Sequence, residues 1–385
     1  MADIEAASGA DVRRPYQVCA RCIMDTSDPD IEFDESGVCN HCRTYFHRVE
    51  KEVHSGAEGR HRLDELVEKV KADGRGKDYD CVIGVSGGVD SSFVAYKVKQ
   101  LGLRPIAVHF DNGWNSELAV QNIKQLLDKL GIDLYTYVVD WSEFRDLQRS
   151  FLRASVPNCE IPTDHAIYAV LFRIAAKYRL RYLITGGNVT TEGIMPLSWG
   201  YYSQDLHHLK AIHRRFGSVP LRTFPRLGLA RFLYHVFVRR VRMIPILNYF
   251  DYNKAEAMRV LQEDLGWRYY GGKHYESIFT RFFQGYYLPR KFGFDKRRAH
   301  LSTLVCSGQI GREAALKEMQ QSPYGNLDPE VDRDYVVKKF GLTEQEFDDI
   351  MHAPPGLHMG YPSHAMVYEG LSGLRKVFKR IATRP

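Results

Sequence analysis

Two clusters of residues in this sequence have the types and spacing to do chemistry. The first is a set of four cysteines, Cys19, Cys22, Cys39 and Cys42, arranged as two C-x-x-C pairs with sixteen residues between them. Each pair makes a tight knuckle presenting two thiolates, and two knuckles complete a tetrahedron, the closed coordination zinc takes in structural sites. His41 and His47 stand near enough to substitute as ligands, and an iron–sulfur cluster is a second use for four thiolates, yet four cysteines already fill a zinc site. The second cluster is Ser86-Gly87-Gly88-Val89-Asp90-Ser91-Ser92. Two glycines let the backbone approach a ligand closely. Hydroxyls follow where a helix begins, so free amides and the helix dipole would meet an anion. A Walker loop would carry G-x-x-x-x-G-K-[ST]; neither that spacing nor its lysine is present, which argues against ordinary γ-phosphoryl transfer.

These loops need elements to hold them. Cys81 to Val85 is short, apolar and β-branched, as a buried parallel strand is, and Phe93, Val94, Val98 and Leu101 recur at helical spacing. RPIAVHF (104–110) reads as a second strand, 116–130 as a helix, DLYTYVV (133–139) as a third strand and 181–185 as a further one. The rhythm is that of an α/β fold with a doubly wound parallel sheet. Ligands in such sheets lie beyond the carboxyl ends of strands, which places His109, Phe110, Asp111 and Asn112 near the loop. Gly186, Gly187 and Asn188 end another strand, where a plain turn is the competing reading.

Length and composition agree with a globular, multi-part protein: 385 residues, 44% hydrophobic, with 53 basic against 47 acidic side chains and a net charge of +6. So mild an excess suits anionic small molecules as well as nucleic acid. A polar first stretch without a signal-peptide core, and no apolar run of membrane-spanning length, lead us to expect a cytoplasmic protein.

The run from Ser86 to Ser92 resembles the PP-loop of the ATP pyrophosphatases, such as NAD synthetase, GMP synthetase, asparagine synthetase and tRNA-thiolating enzymes. The resemblance implies cleavage of ATP between the α- and β-phosphates, with Ser86, Gly87, Gly88, Ser91 and Ser92 around the pyrophosphate and Asp90 as a magnesium ligand. It further implies that His109, Phe110 and Asp111 touch adenine and ribose and that Gly186 and Asn188 complete the nucleotide pocket.

The knuckle CIMDTSDP…CNHC, the SGGVDSS loop, PTDHA (162–166), DYNKAEA (251–257) and GWRYYGGKHYESIFTRFFQGYYLPRKFGFDKRRAHLSTLVCSGQIGREAAL together resemble the N-acetyl sugar amidotransferases of bacterial surface-polysaccharide (LPS O-antigen) biosynthesis, over roughly residues 16 to 320. The resemblance implies an enzyme that turns the acetamido group of a nucleotide-linked N-acetyl sugar into an acetamidino group. ATP, magnesium and structural zinc would be its cofactors. Ammonia would come from partner proteins resembling the glutaminase and cyclase barrel of imidazole glycerol phosphate synthase, since this chain shows no glutaminase motif. The rival is a tRNA-thiolating PP-loop enzyme, for which Cys159 would be a catalytic thiol and not an ordinary buried one.

The corresponding division is a disordered segment 1–15, a zinc module 16–46, a helical linker 47–77 with one amphipathic helix through Leu63, Leu66, Val67 and Val70, a PP-loop domain 78–200, and a mainly helical substrate- and partner-binding part 201–385. Within the last part, aromatics interleave with Lys273, His274, Glu276, Arg281 and Arg297. Such a stretch binds RNA or a nucleotide sugar, or is simply a core helix with solvated charges. Lys273 and His274 are the candidate catalytic residues there, and Glu276, Arg281 and Arg297 the substrate ligands. RFLYHVFVRRVRMIPILNY, 231–249, reads as a core helix with arginines snorkelling outward or as a membrane-surface helix.

Overall fold

Alternation of apolar residues across a pleat builds the centre of the molecule. In the computed structural model, which describes residues 15–272, 275–368 and 370, five strands form one sheet: β1 (Cys81–Gly84), β2 (Pro105–Asp111), β3 (Asp133–Val138), β4 (Tyr182–Thr185) and β5 (Arg242–Pro245). Their order is β3-β2-β1-β4-β5 and every pairing is parallel. Val82, Ile106 and Val108 face one side while Cys81, Ile83 and Ala107 face the other, so both faces are buried, as a parallel sheet requires.

Six helices precede β4: α1 (Asn40–Glu52), α2 (Gly56–Gly74), α3 (Val89–Gln100), α4 (Glu117–Leu130), α5 (Trp141–Arg153) and α6 (Ile161–Lys177). Leu63, Val67 and Val70 of α2, Val94 and Val98 of α3 and Ile123 and Leu126 of α4 pack on one face of the sheet. Phe144, Leu147 and Phe151 of α5 with Val170 and Ile174 of α6 belong to the opposite core. The stretch 47–77 thus holds the end of α1 as well as the expected amphipathic helix. The expected disordered segment 1–15 lies, except for Pro15, outside the described residues, as do Lys273 and His274.

The segment 231–249 departs most from expectation. It is not one helix: Leu229–Leu233 continues as a π-helical turn, Tyr234–Val238, after which the chain enters β5. Arg240, at a φ of 56°, ends the helical path, since a left-handed residue cannot propagate a right-handed helix. The next residues then close the open edge of β4, with Tyr182 opposite Arg242 and Thr185 opposite Pro245. The sheet therefore draws a strand from the region expected to be helical.

The cysteine module is clamped to helices from the far end of the chain. Arg312 donates to the carbonyls of Cys22 (3.0 Å) and Cys19 (2.9 Å), Arg298 to that of Ile23 (2.7 Å), and Ser302 Oγ accepts from the Ile23 amide at 3.2 Å. Arg298 also pairs with the buried Asp25 carboxylate at 3.0 Å. A second long-range anchor is Trp114, fully buried after β2 against Trp141, Phe279 and Phe340, its indole N–H donating to Gln148 at 2.7 Å.

Candidate functional site

The strand order reverses between β1 and β4, and open α/β sheets bind ligands beyond the strand ends at such a point. The loop after β1 and the Gly186-Gly187-Asn188 turn after β4 stand there side by side. A Cβ on Gly186 would lie 3.1 Å from the Asp90 carbonyl carbon and the Ser91 amide nitrogen, so any larger residue would push the two loops apart by a few tenths of an ångström. Gly87 has φ +82°, and a Cβ there would come within 2.8 Å of the Ala119 carbonyl oxygen, so this glycine is required both by conformation and by space. Inside the loop, the Ser86 amide donates to Ser91 Oγ at 3.2 Å, the Gly88 amide to Ser86 Oγ at 3.3 Å, and Ser91 Oγ to the Gly88 carbonyl at 3.1 Å. α3 then starts at Gly88 without a side-chain cap, leaving its first-turn amides in the anion-binding position. Ser92 Oγ is buried with no hydrogen-bond partner among the described residues.

Three aromatic residues that the sequence reading did not single out brace this loop. Trp267 donates to the Gly87 carbonyl at 3.0 Å, and the Tyr252 hydroxyl makes a very short hydrogen bond to Asp90 Oδ1. Burial and the Asp90 carboxylate push the Tyr252 phenol well up, so it stays a donor; burial, Glu276 and Asp90 do the same for Tyr270. A Cβ on Gly88 would lie 3.3 Å from Glu276 Oε1 and 3.4 Å from the Tyr270 hydroxyl, which places Glu276 directly over the loop. Backbone pairing fixes it there: Ser116 N–H donates to the Glu276 carbonyl (2.9 Å) and Ile278 N–H to that of Trp114 (2.9 Å).

The other expected residues divide. His109 Nδ1 donates to the Val85 carbonyl at 3.0 Å, so its Nε2 accepts from Asn115 at 3.1 Å; it ties β2 to the loop's entry. Asp111 accepts from the Gly113 amide at 2.9 Å, and Asn112 donates to Thr163 of α6 at 3.3 Å. Asn188 caps its turn through the Thr191 amide at 2.8 Å. Phe110, by strand alternation, points the other way and is stacked in the core with Tyr137, so it does not line the crevice. Arg281 and Arg297, expected to hold substrate, have carboxylates of their own: Arg281 grips Asp332 with two bonds of 2.6 and 2.7 Å, and Arg297 grips Asp295 at 2.9 and 2.7 Å.

A half-buried pair of carboxylates beside the end of β2 was also missed. Glu160, just before α6, accepts from Thr280 at 2.5 Å. Asp164, one turn on, is walled in deeply enough that burial, with the Glu160 carboxylate and against the pull of Lys296, pushes its carboxyl up to about 7. Cys159, next to Glu160, is fully buried, its thiol donating to the Val156 carbonyl and pushed up to about 12 by burial.

The four knuckle cysteines converge as expected. Their sulfurs lie within 4.8 Å of one another, with separations of 3.8 Å (Cys19–Cys42) and 3.7 Å (Cys22–Cys39 and Cys39–Cys42). A zinc–sulfur bond of about 2.3 Å gives a tetrahedron with an edge of about 3.8 Å, so the donor set fits zinc. Amides of Met24 and Cys39 point at the sulfurs of Cys22 and Cys19, each at 3.3 Å. His41 pairs with Asp28 and His47 with Lys51, leaving the cluster to its thiols. Cys306 Sγ comes within 3.7 Å of Cys42 Sγ, a neighbour that spacing gave no hint of.

Comparison with known proteins matches two separate stretches of the chain. Residues 60–159 match the NAD synthase family, and residues 276–375 match the family described as LPS biosynthesis protein WbpG-like, C-terminal domain. The tRNA-specific 2-thiouridylase MnmA 2 of Fusobacterium nucleatum is 33% identical over 118 residues, 29% of this chain and 34% of that protein, so the match spans about a third of the relative. Among solved structures, NMN synthetase from Francisella tularensis aligns at 15% identity and a TM-score of 0.30, covering 56% of this chain and 90% of its own. The NH3-dependent NAD synthetase from Campylobacter jejuni aligns at 14% identity and 0.28, covering 53% and 84%. The sheet, the loop at its switch point and the NAD synthase match define a PP-loop, ATP-binding protein. The chain thus joins a PP-loop fold to a stretch similar to the C-terminal domain of WbpG-like LPS biosynthesis proteins.

Proposed function

We propose that the protein is an ATP-dependent amidotransferase acting on a nucleotide-linked N-acetyl sugar. The observation that carries this reading is the weave at the crevice, where Glu276–Ile278, at the start of the WbpG-like domain, pair with Trp114–Ser116 after β2 and hang over the phosphate loop. The start of the WbpG-like domain thus lies against the phosphate loop, which supports a shared nucleotide and sugar site.

In the proposed reaction the acetamido oxygen attacks the α-phosphorus of ATP and pyrophosphate leaves. Ammonia then adds to the imidate carbon and AMP departs with the former acetamido oxygen, leaving an acetamidino group. Ser86, Ser91 and the first-turn amides of α3 would hold the pyrophosphate, and magnesium held by Asp90 would neutralise its charge. Tyr252 would orient the Asp90 carboxylate. Ammonium is protonated at neutral pH and must lose a proton before it attacks; Asp164, with a carboxyl near 7, is suited to accept one. Lys273 and His274 remain candidates for contact with the reacting group. The ammonia itself is proposed to come from docked glutaminase and cyclase-barrel partners.

The test is incubation of nucleotide-linked N-acetyl sugars with protein, ATP and ammonium. The expected product has oxygen exchanged for NH in the sugar, with AMP and pyrophosphate formed in equal amounts; glutamine should replace ammonium only when the two partners are added. The 2-thiouridylase match supports a second reading, tRNA thiolation. Against it stands Cys159, whose buried thiol is poorly placed to become a nucleophilic thiolate. AMP release that requires tRNA and a sulfur donor would overturn the sugar reading, and Cys159→Ala should retain most ammonium-dependent turnover.

A further inference from the structure

Residues 206–250 contain nine lysines and arginines and no aspartate or glutamate, more positive charge than the +6 of the whole chain. In their midst the helix Leu229–Leu233 and its π-helical continuation Tyr234–Val238 bury only His235 of their ten residues. Phe232 and His235 turn inward onto Phe172 of α6. The outward residues are apolar: Tyr234 is 50% exposed, Phe237 60% and Val238 65%. Arg231, Tyr234 and Val238, spaced three and four residues apart, lie along one face, and exposed Arg240 and Arg242 follow directly. Among the described residues no carboxylate pairs with Arg231, Arg240 or Arg242, while many other surface arginines of the chain do find one. A helix that shows solvent three bulky apolar side chains, framed by unpaired guanidinium groups, has both halves of an interfacial membrane contact.

We infer that this face docks onto an anionic lipid surface, with Tyr234, Phe237 and Val238 entering the headgroup boundary and the arginines meeting lipid phosphates. Residues 371–385, LSGLRKVFKRIATRP, add five cations and no acid to the chain beyond Tyr368, whose ring lies 6.5 Å from Phe232. Their charge has the same sign as the patch, so they suit the same anionic surface and not a role as its cover. A nucleic acid would meet the arginines equally well and could stack bases on Tyr234 or Phe237, but it has no use for the exposed aliphatic Val238 beside them, which favours lipid. No helix among the described residues is long and apolar enough to cross a membrane, so the contact would be peripheral.

The experiment is co-flotation of the full chain with vesicles of phosphatidylcholine alone and of phosphatidylcholine mixed with phosphatidylglycerol, with tRNA as competitor. The wild-type protein should float only with the anionic vesicles and should be released by high salt. Arg231→Glu with Arg240→Glu, and separately Phe237→Ser with Val238→Ser, should each weaken flotation at least tenfold while circular dichroism and turnover with soluble substrate stay as in the wild type. Absence of wild-type flotation, flotation unchanged in both double variants, or tRNA binding that excludes vesicles would each overturn the inference. The flotation and tRNA-competition readouts do not depend on the amidotransferase reaction.

Discussion

At Cys39 and at Gly88 the chain does the same thing: each residue stands at the start of a helix without a side-chain cap. What surrounds them differs. At the knuckle, all four thiols are wholly buried, backbone amides already point at their sulfurs, and Arg298 and Arg312 hold the outer carbonyls. Protein groups complete everything except the ion at the centre. At the phosphate loop, aromatics secure the Gly87 carbonyl and the Asp90 carboxylate from behind, Ser86 stays exposed, and the amide side faces the crevice. The knuckle is built to be closed and the loop to be filled, so damage to the first should cost folding and damage to the second should cost turnover.

The largest effect expected from this contrast is at the four-cysteine cluster, whose donor set fits zinc. Cys19→Ser or Cys42→Ser leaves three thiols facing a buried centre, and loss of the metal removes folding free energy directly, roughly 3 kcal/mol or more. Elemental analysis should find the metal gone and calorimetry a strongly lowered melting temperature. A Cys42→Ser chain that keeps its zinc and its melting point would break the comparison on this side.

Asp90→Asn should do the reverse, reducing AMP release by about a hundredfold to a thousandfold with melting little changed, because in the proposed reaction the carboxylate holds magnesium and asparagine can still accept from Tyr252. Tyr252→Phe is milder. It removes one hydrogen bond to a charged group, so turnover should fall about tenfold, with a higher magnesium concentration needed for half-maximal rate. If Tyr252→Phe lowered the melting temperature but left the magnesium dependence as in the wild type, Tyr252 would belong with the scaffold.

Both centres were legible because their signals are local: C-x-x-C pairs fix ligand geometry within a few residues, and strand, glycine loop and helix follow one another in sequence. The braces were not. Tyr252 is 162 residues from Asp90 and Trp267 is 180 from Gly87, separations at which no periodicity reports a contact. Arg281 read as a ligand for substrate because Asp332, its partner, comes 51 residues later. Arg297 had Asp295 two residues away and was misjudged through its basic neighbours. The β5 strand was hidden in a short apolar run that helix and strand patterns fit equally well until Arg240 turns the chain.

The smallest effect sharpens the comparison most, because it separates fold from function at one atom group. Asp164 carries a carboxyl raised by burial and by Glu160 from its ordinary 3.8 to about 7. The folded state therefore holds a proton that the unfolded chain has released, so this group's contribution to stability is present at about pH 4 and is lost as pH rises to 7. Asparagine keeps the shape and removes the charge. Asp164→Asn should melt a few degrees above the wild type at pH 8, the gain shrinking towards pH 4, while ammonium-dependent turnover falls. A half-buried carboxylate retained at such a cost is consistent with the proposed role as proton acceptor, whereas the knuckle has nothing comparable to gain from substitution. Thermal melts across this pH range decide it: an Asp164→Asn chain less stable than the wild type at pH 8 would make the carboxylate part of the scaffold and remove it as the proton acceptor.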